Sequence, residues 1–306
     1  MEKNQYEGLS HILKEKNIKY DESMKKHTTM QVGGTCDCLV LPESIEEIQK
    51  VVSYAKENHI PYYVIGNGSN LLVKDEGIRG LVIKIGPKFS SVAVEDEKII
   101  ASSGVGTPRV AQVAKKHALT GLEFACGIPG TVGGCVRMNA GAYGGEMKDV
   151  VESVTYLDSD GNIKKILNKD MEFDYRHSVF GNHKDWIILS VTFALKKGDV
   201  EEISKLMESN ALARRTKQPL EYPNFGSVFK RPTGYFVGKL VQDSGLRGYQ
   251  IGGAQVSQKH TGFIINTGNA TCQDVLDLIR YVQDTVYEKF NVKLQTEVEI
   301  IGGEKS

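Results

Sequence analysis

The chain has 306 residues, 40% hydrophobic and 25% charged, with 38 basic side chains balanced by 38 acidic ones. That length allows a sizeable core divided over two or three domains, and the even charge argues against nucleic acid or an anionic membrane as the main partner. No apolar run reaches the roughly 18 residues of a membrane span, MEKNQYEGLS lacks an apolar signal core, and five dispersed cysteines suit reduced thiols, so the expected location is cytoplasmic.

In chain order the pattern alternates between strand and helix. Cys36 and Cys38 form a CxC with no second Cys/His cluster nearby, and no metal site is expected. CLVL, the segment Ser44 to His59 and YYVI read as a β-α-β unit. Its helix opens on a Ser44/Glu47 capping box and carries Ile45, Ile48, Val52 and Ala55 at helical spacing. A second helix is expected from Pro108, with Thr107 as N-cap and Val110, Val113, Ala114 and Ala118 inward. LVIKI, VTYLD and WIILSVTFAL read as strands, with Asp160-Gly161 turning the chain between VTYLD and IKKIL. Asp199 and Glu202 start a helix running toward Arg215, and Gln273 to Phe290 is the last helix, with Val275, Leu278, Ile279, Val282 and Val286 as its apolar stripe. A seam is expected near Lys196 to Asp199.

Two glycine-rich stretches stand out. GIPGTVGGCVRMNAGAYGG, from Gly127 to Gly145, holds seven glycines in nineteen residues. Glycine lets the backbone approach something flat, large or anionic; tight turns between strands would use it equally. VIGNGSNLLV lies about sixty residues earlier, where Gly66 and Gly68 bend the chain and the amides around Asn67, Ser69 and Asn70 can form an anion nest, or merely end a strand. Neither GxxxxGK[ST] nor a strand-to-helix GxGxxG is present, so no phosphate loop or Rossmann half is expected. Between Asn210 and His260 eight basic residues face two acidic ones, a local excess that suits a diphosphate or arises by chance.

Taken in order, GNGSNLLV, GIPGTVGG with MNAGAYG, YRHSVF, NFGSVFKRP and LQTEVEIIG resemble the UDP-N-acetylenolpyruvoylglucosamine reductases, flavoenzymes that complete UDP-N-acetylmuramic acid for peptidoglycan. The resemblance spans nearly the whole chain. It implies an α+β protein with a vanillyl-alcohol-oxidase-type FAD fold, and a three-part organisation: a flavin subdomain over 1–85 completed by the tail 296–306, a second over 86–198, and a substrate domain over 199–295. It also implies FAD as cofactor, NADPH as hydride-donating co-substrate and a UDP-sugar substrate, with no nucleic acid, membrane or obligatory protein partner. Members of the family move a hydride from NADPH through the flavin to the enolpyruvyl carbon.

By the same resemblance Ile65, Gly66, Asn67, Gly68, Ser69, Asn70 and Leu71, with Gly127, Pro129, Gly130, Thr131, Gly133, Gly134, Asn139, Gly141 and Ala142, are expected to cradle FAD. Arg176, preceded by Tyr175 in the family's YR motif, is expected to bind the substrate carboxylate and its developing enolate charge through the donor fork. Glu297 matches the family's terminal glutamate and shares that polarisation; Glu299 lies on the same face of TEVEI, and the choice rests on the family's EV dipeptide. Ser227 matches the proton donor, with Gly226 admitting substrate and Lys230 and Arg231 supplying nearby positive charge. Arg214, Lys217, Lys239 and Arg247 are the candidates for the diphosphate.

Two departures limit the transfer. Longer members carry FKNP where this chain has FKRP, and the short interval from Trp186 to Glu201 has no room for their tyrosine-bearing closing loop, which marks the short subclass. A flavin oxidase acting on another substrate and a non-catalytic nucleotide-binding module are the alternative readings.

Overall fold

The computed structural model describes residues 3–303; positions 1–2 and 304–306, at the outer ends of the first expected subdomain and its tail, lie outside the described residues. The chain forms two units. The first contains the residues up to Lys19, Cys38–Asn67 and Leu81–Arg214; the second contains Tyr20–Asp37, Gly68–Gly80 and everything from Arg215 on.

Helix α1 (Ile45–Glu57) of the first unit starts where the sequence predicts, with the Ser44 hydroxyl accepting from the Glu47 amide at 3.1 Å. The expected capping box is not reciprocal: the Glu47 carboxylate accepts from the Glu43 amide at 2.6 Å, one residue short of the cap. Ile48, Val51, Val52 and Ala55 are buried, whereas Ile45 only flanks the core. A fully buried aliphatic side chain contributes about 1.5–3 kcal/mol and a cap about 1 kcal/mol, so packing holds this helix more than its terminus does. It covers a four-stranded sheet ordered Ile18–Ser23, Thr35–Val40, Ile78–Lys84, Tyr62–Ile65, whose last two strands run parallel. The strands flanking α1 are therefore not neighbours, because Ile78–Lys84 lies between them.

A second core of this unit lies under a five-stranded antiparallel sheet, ordered Ile163–Leu167, Val151–Leu157, Ile187–Ala194, Lys98–Ser102, Val92–Glu95. WIILSVTFAL supplies its central strand, and Val191 and Phe193 are fully buried. Helix α2 (Thr107–Lys116) packs on this core through Val110, Ala111 and Ala114. Its cap differs from expectation. Gly106 occupies the N-cap, while the Thr107 hydroxyl turns inward to donate to the Gly130 carbonyl at 3.1 Å and meets the Cys135 sulfur at 3.1 Å. Ala118 lies beyond the helix at a φ of 53°.

Helix α3 (Val132–Arg137) sits inside the glycine run, where the sequence suggested turns. Two glycines cost about 1 kcal/mol each in a helix, which hides it from propensity, but burial of Val132, Cys135 and Val136 outweighs that cost. Helix α4 (Val179–Asn182) follows, then α5 (Val200–Lys217), whose Ile203 and Met207 are buried and whose first-turn amides at Glu201 and Glu202 bond the Asp199 carboxylate at 2.8 and 3.0 Å.

The turn at Asp160-Gly161 is organised by a residue the dipeptide does not reveal. Asp158 accepts from the Asp160 and Asn162 amides at 2.9 and 2.8 Å, and Gly161 takes a φ of 86°. The bond from the Lys164 side chain, with those amides, holds the Asp158 carboxyl down at about 2.

In the second unit an antiparallel sheet ordered Asn224–Ser227, Phe263–Asn266, Ala254–Val256, Gln250–Ile251 is covered by α6 (Val237–Asp243) and α7 (Cys272–Phe290). The predicted stripe Val275, Leu278, Ile279, Val282 and Val286 is buried throughout. Besides a Thr271/Asp274 capping box, α7 receives Asp75, whose two carboxylate oxygens accept from the Cys272 and Gln273 amides at 2.9 and 3.0 Å. Leu71–Val73 pairs parallel with Glu299–Ile301, which ties the chain end into this unit. Among the described residues no helix is long and apolar enough to cross a membrane.

Two stability predictions follow from these contacts. Asp75→Ala removes two acceptors from the α7 terminus and is expected to cost about 1 kcal/mol in urea unfolding, with Asp75→Asn retaining part of it. For Asp158 the folded carboxyl titrates near 2, below the roughly 4 of an unfolded aspartate, so its stabilisation is complete above about pH 4 and disappears as pH falls through about 2. Unfolding midpoints of wild type and Asp158→Asn should differ at pH 7 and 5 and converge at pH 2.

Candidate active site

The two glycine stretches, some sixty residues apart in sequence, meet in the first unit. The Asn67 side chain donates to the Pro129 carbonyl at 2.7 Å, and a Cβ added to Gly66 would lie 2.3 Å from the Thr131 hydroxyl. Thr131 in turn caps α3, accepting from the Gly134 amide at 3.5 Å, and Ile65 is buried at the end of its strand. Gly130 is buried, its carbonyl held by the Thr107 amide and hydroxyl at 3.0 and 3.1 Å.

Glycine serves two different ends in this run. A Cβ on Gly133 would meet Ser103 at 2.8 Å, and one on Gly141 would meet the Gly145 carbonyl and the Glu146 side chain at 2.8 Å, so these positions let protein pack on protein. Gly134 is exposed and has a single atom, at 3.5 Å, within ordinary contact. The residues thus fit a large cofactor laid along the joined turns, with Gly134 presenting bare backbone.

Asn139 was expected to touch cofactor. It is fully buried at a φ of 44°, donating to Glu146 at 2.6 Å and to the Asp174 carbonyl at 3.0 Å while accepting from the Lys148 amide at 2.9 Å. It thereby fastens the hairpin of Gly141–Ala142 and Gly145–Glu146 to the Asp174–His177 turn. In that turn Asp174 and His177 exchange both backbone hydrogen bonds, at 3.2 and 3.1 Å, and the Asp174 carboxylate takes the Tyr175 amide at 2.7 Å. Arg176 is forced to a φ of 54°, a left-handed conformation that costs a non-glycine residue on the order of 1 kcal/mol. Its guanidinium lies 5.0 Å from the exposed Tyr175 ring centre. Arg176 is also close enough to oppose, electrostatically, the burial that pushes the Cys135 thiol up to about 11.

The second unit assembles the other two expected catalytic residues. The Glu297 amide donates to the Val228 carbonyl at 2.8 Å, Phe229 pairs with Thr296, and the Lys230 amide bonds the Gln295 carbonyl at 2.8 Å, so the Ser227 segment and the Glu297 segment lie side by side. Asn70 completes the ladder, its side chain donating to the Glu297 carbonyl at 3.0 Å and its own carbonyl accepting from the Glu299 amide at 3.0 Å. Ser69 is half-buried, Leu71 starts the strand paired with Glu299, and Gly68 is packed so closely that a Cβ would lie 2.2 Å from the His27 carbonyl. Glu297 is half-buried and Glu299 exposed, with Val298 buried on the opposite face.

The Ser227 hydroxyl rests on the Phe229 carbonyl at 3.2 Å. Before it, Gly226 takes a φ of 84° with nothing within 4 Å of a would-be Cβ, which leaves the approach to Ser227 clear. Sequence reasoning missed the residue that sets this turn. The Asn224 carboxamide accepts from the Gly226 amide at 3.0 Å and donates to the Tyr222 and Pro219 carbonyls at 2.8 and 3.2 Å; Asn two residues before Gly is its signal. Arg231, in place of the long form's asparagine, lies with its guanidinium carbon 3.9 Å from the Phe236 ring centre and its Nε on the Tyr235 carbonyl at 3.2 Å.

Of the four candidate diphosphate cations, Arg214 and Lys217 lie three residues apart in the last turn of α5. Lys217 is exposed at the end of α5. Lys239 pairs with Asp243 at 2.7 Å one turn along α6; Arg247 donates to Gln242 at 2.5 Å and to the Gln258 carbonyl, so both gather around the end of that helix.

Comparison with known proteins bears on the whole chain. Residues 36–167 match the family described as FAD binding domain, and residues 218–301 match UDP-N-acetylenolpyruvoylglucosamine reductase, C-terminal domain. A UDP-N-acetylenolpyruvoylglucosamine reductase of Caldanaerobacter subterraneus subsp. tengcongensis is 52% identical, covering 96% of this chain and 97% of that protein. Its counterpart in Clostridioides difficile is 49% identical and covers 97% of each. The solved UDP-N-acetylenolpyruvylglucosamine reductase from Thermus caldophilus superposes with a TM-score of 0.80 at 36% identity, over 92% of this chain and 97% of that one. An alkyldihydroxyacetonephosphate synthase shares the fold alone, with a TM-score of 0.50 at 16% identity over 64% of this chain and 41% of that one. The expected α+β fold of the vanillyl-alcohol-oxidase type holds, and the chain belongs to the UDP-N-acetylenolpyruvoylglucosamine reductase family.

Proposed function

We propose that this chain reduces the enolpyruvyl group of UDP-N-acetyl-3-O-(1-carboxyvinyl)-glucosamine to the lactyl ether of UDP-N-acetylmuramate, using NADPH and FAD, in peptidoglycan precursor synthesis. Family membership over nearly the full length supports the reaction. The observation that carries the chemistry is the hydrogen-bonded ladder joining Asn70, Glu297 and Val228, which sets a half-buried serine and a half-buried carboxylate on adjacent segments.

FAD, when bound, relays the hydride from NADPH to the terminal enol-ether carbon. The chain's own residues provide the rest. Ile65, Gly66, Asn67, Gly68, Ser69, Asn70 and Leu71 and the loop from Gly127 to Ala142 hold the cofactor, a reading supported by the junction of the two turns and the bare backbone at Gly134. Arg176 takes the substrate carboxylate; its strained backbone, fixed by the Asp174–His177 pair, fits a side chain held for charge stabilisation instead of for packing. Ser227 gives its proton to the carbon left basic by hydride addition, Lys230 lies three residues on, and Glu297 polarises the carboxylate. Tyr175, Lys217, Lys239 and Arg247 contact the nucleotide sugar.

The proposed three-part division over 1–85 with 296–306, 86–198 and 199–295 matches three buried clusters in number, centred on α1, on the five-stranded sheet and on α7, but not in its bounds: the α1 cluster also takes in Leu157, Ile187 and Leu189, and the α7 cluster Met30, Val32 and Leu72. A soluble, cytoplasmic enzyme needing no protein partner is the setting that suits a UDP-sugar and NADPH.

The activity is tested by colour: purified protein should be yellow, bleach with NADPH and recolour anaerobically with the enolpyruvyl substrate. Failure to recolour with this substrate overturns the assignment. Ser227→Ala should leave bleaching nearly intact and slow recolouring by about 10²–10⁴-fold, the usual loss of a positioned general acid, with Ser227→Cys recovering part. Stopped-flow flavin absorbance reads both phases. The same traces separate the two glutamates: Glu297→Gln should slow recolouring at least roughly tenfold, and exposed Glu299→Gln by less than about twofold.

A further inference from the structure

Arg214 stands out because it lies in the last turn of α5 yet turns against the cofactor loops. Its Cδ is 3.0 Å and its Nη1 3.4 Å from where a Cβ on Gly127 would be, and it interacts electrostatically with Cys126 and Tyr143. Gly127 opens the GIPG turn, and Tyr143 is the exposed tip of the AYGG hairpin at a φ of 51°. Any side chain larger than hydrogen at 127 would displace the arginine.

The cation is only half exposed, and burial pushes its guanidinium below the usual arginine range. Among the described residues no carboxylate pairs with it; its electrostatic neighbours are a phenol and a thiol, both neutral at pH 7. A place at a helix C-terminus benefits any cation, but exposed Arg215 and Lys217 have that benefit without losing water. A guanidinium partly dehydrated without a counter-ion is costly, and the cost is recovered where an anion completes its hydrogen bonds.

Resting on the FAD-dependent reading above, we infer that Arg214 supplies positive charge to an anionic part of the bound flavin cofactor, its pyrophosphate or its ring system when reduced, and not to the diphosphate of the sugar nucleotide. Lys217, Lys239 and Arg247 remain for the latter. Arg214 is then a cofactor-binding residue whose position depends on glycine at 127.

The experiment uses the holoenzyme and its Arg214→Met and Arg214→Lys variants, with folding checked by far-UV circular dichroism. Three quantities are read: the FAD dissociation constant after release and titration back, the flavin midpoint potential, and KM for the enolpyruvyl UDP-sugar. Loss of a charge-assisted contact predicts, for Arg214→Met, FAD binding weaker by roughly 10–100-fold if the pyrophosphate is the partner. If the reduced ring is the partner, FAD is retained but the preference for reduced over oxidised flavin falls by a similar factor. Arg214→Lys should keep most of either effect, and it stands in as the test of charge if the methionine variant misfolds. Unchanged affinity and potential, a rise confined to KM for the UDP-sugar, or a lysine variant as impaired as the methionine one would each overturn the inference. If the wild-type chain itself binds no FAD, the enzymatic reading fails instead.

Discussion

The constraint on which the rest depends is the short ladder by which the chain end returns to two earlier segments. Glu297 and its neighbours bond to Val228 and Lys230 on one side and to Asn70 on the other. Residues separated by more than two hundred positions are held by backbone groups, whose partners are obligatory once they leave water. This ladder, not any single side chain, gives Ser227 and Glu297 a fixed relation. It also explains why Asn70 needs a carboxamide, since it supplies a side-chain donor and a backbone acceptor to the same strand.

In the first unit the corresponding constraint is close backbone approach. Gly66 against Thr131, and Gly133 against Ser103, allow separations that a Cβ would forbid. The glycine run therefore spends part of its freedom on protein packing, with α3 built in its middle, and leaves part of it as open backbone at Gly134. Beyond its helix the run is tied down by a side chain of its own. Asn139, buried and three-fold bonded, fixes it to the turn that strains Arg176.

Electrostatics divides the basic residues by what surrounds them. Lys239 is an exposed helix-surface pair with Asp243, worth little by itself, and Arg231 lies over an aromatic ring. Arg176 and Arg214 are instead held close to the loops of the first unit, Arg214 at a cost in hydration. An excess of eight cations over two anions in one stretch of sequence thus resolves into sites of different kinds.

By itself the sequence determined the long elements and the family. The 3.6-residue stripes of α1 and α7, the apolar strands WIILSVTFAL and VTYLD, and the ordered motifs from GNGSN to TEVEI are local patterns, and local patterns survive without a fold. The sheet of the second unit was not legible, because its strands run two to four residues between glycine turns and carry too little periodicity. Caps misled in the same way: Thr107 has a suitable side chain for capping, but a buried carbonyl at Gly130 and the Cys135 sulfur compete for its hydroxyl. Which glycines face open space and which face protein, that Asn70 and Glu297 are partners, and that Arg214 leaves its basic neighbours for Gly127 were decided by tertiary structure alone. Each depends on what a distant segment places opposite a residue, and a side chain's chemistry does not specify its neighbour until burial has removed water as the alternative partner.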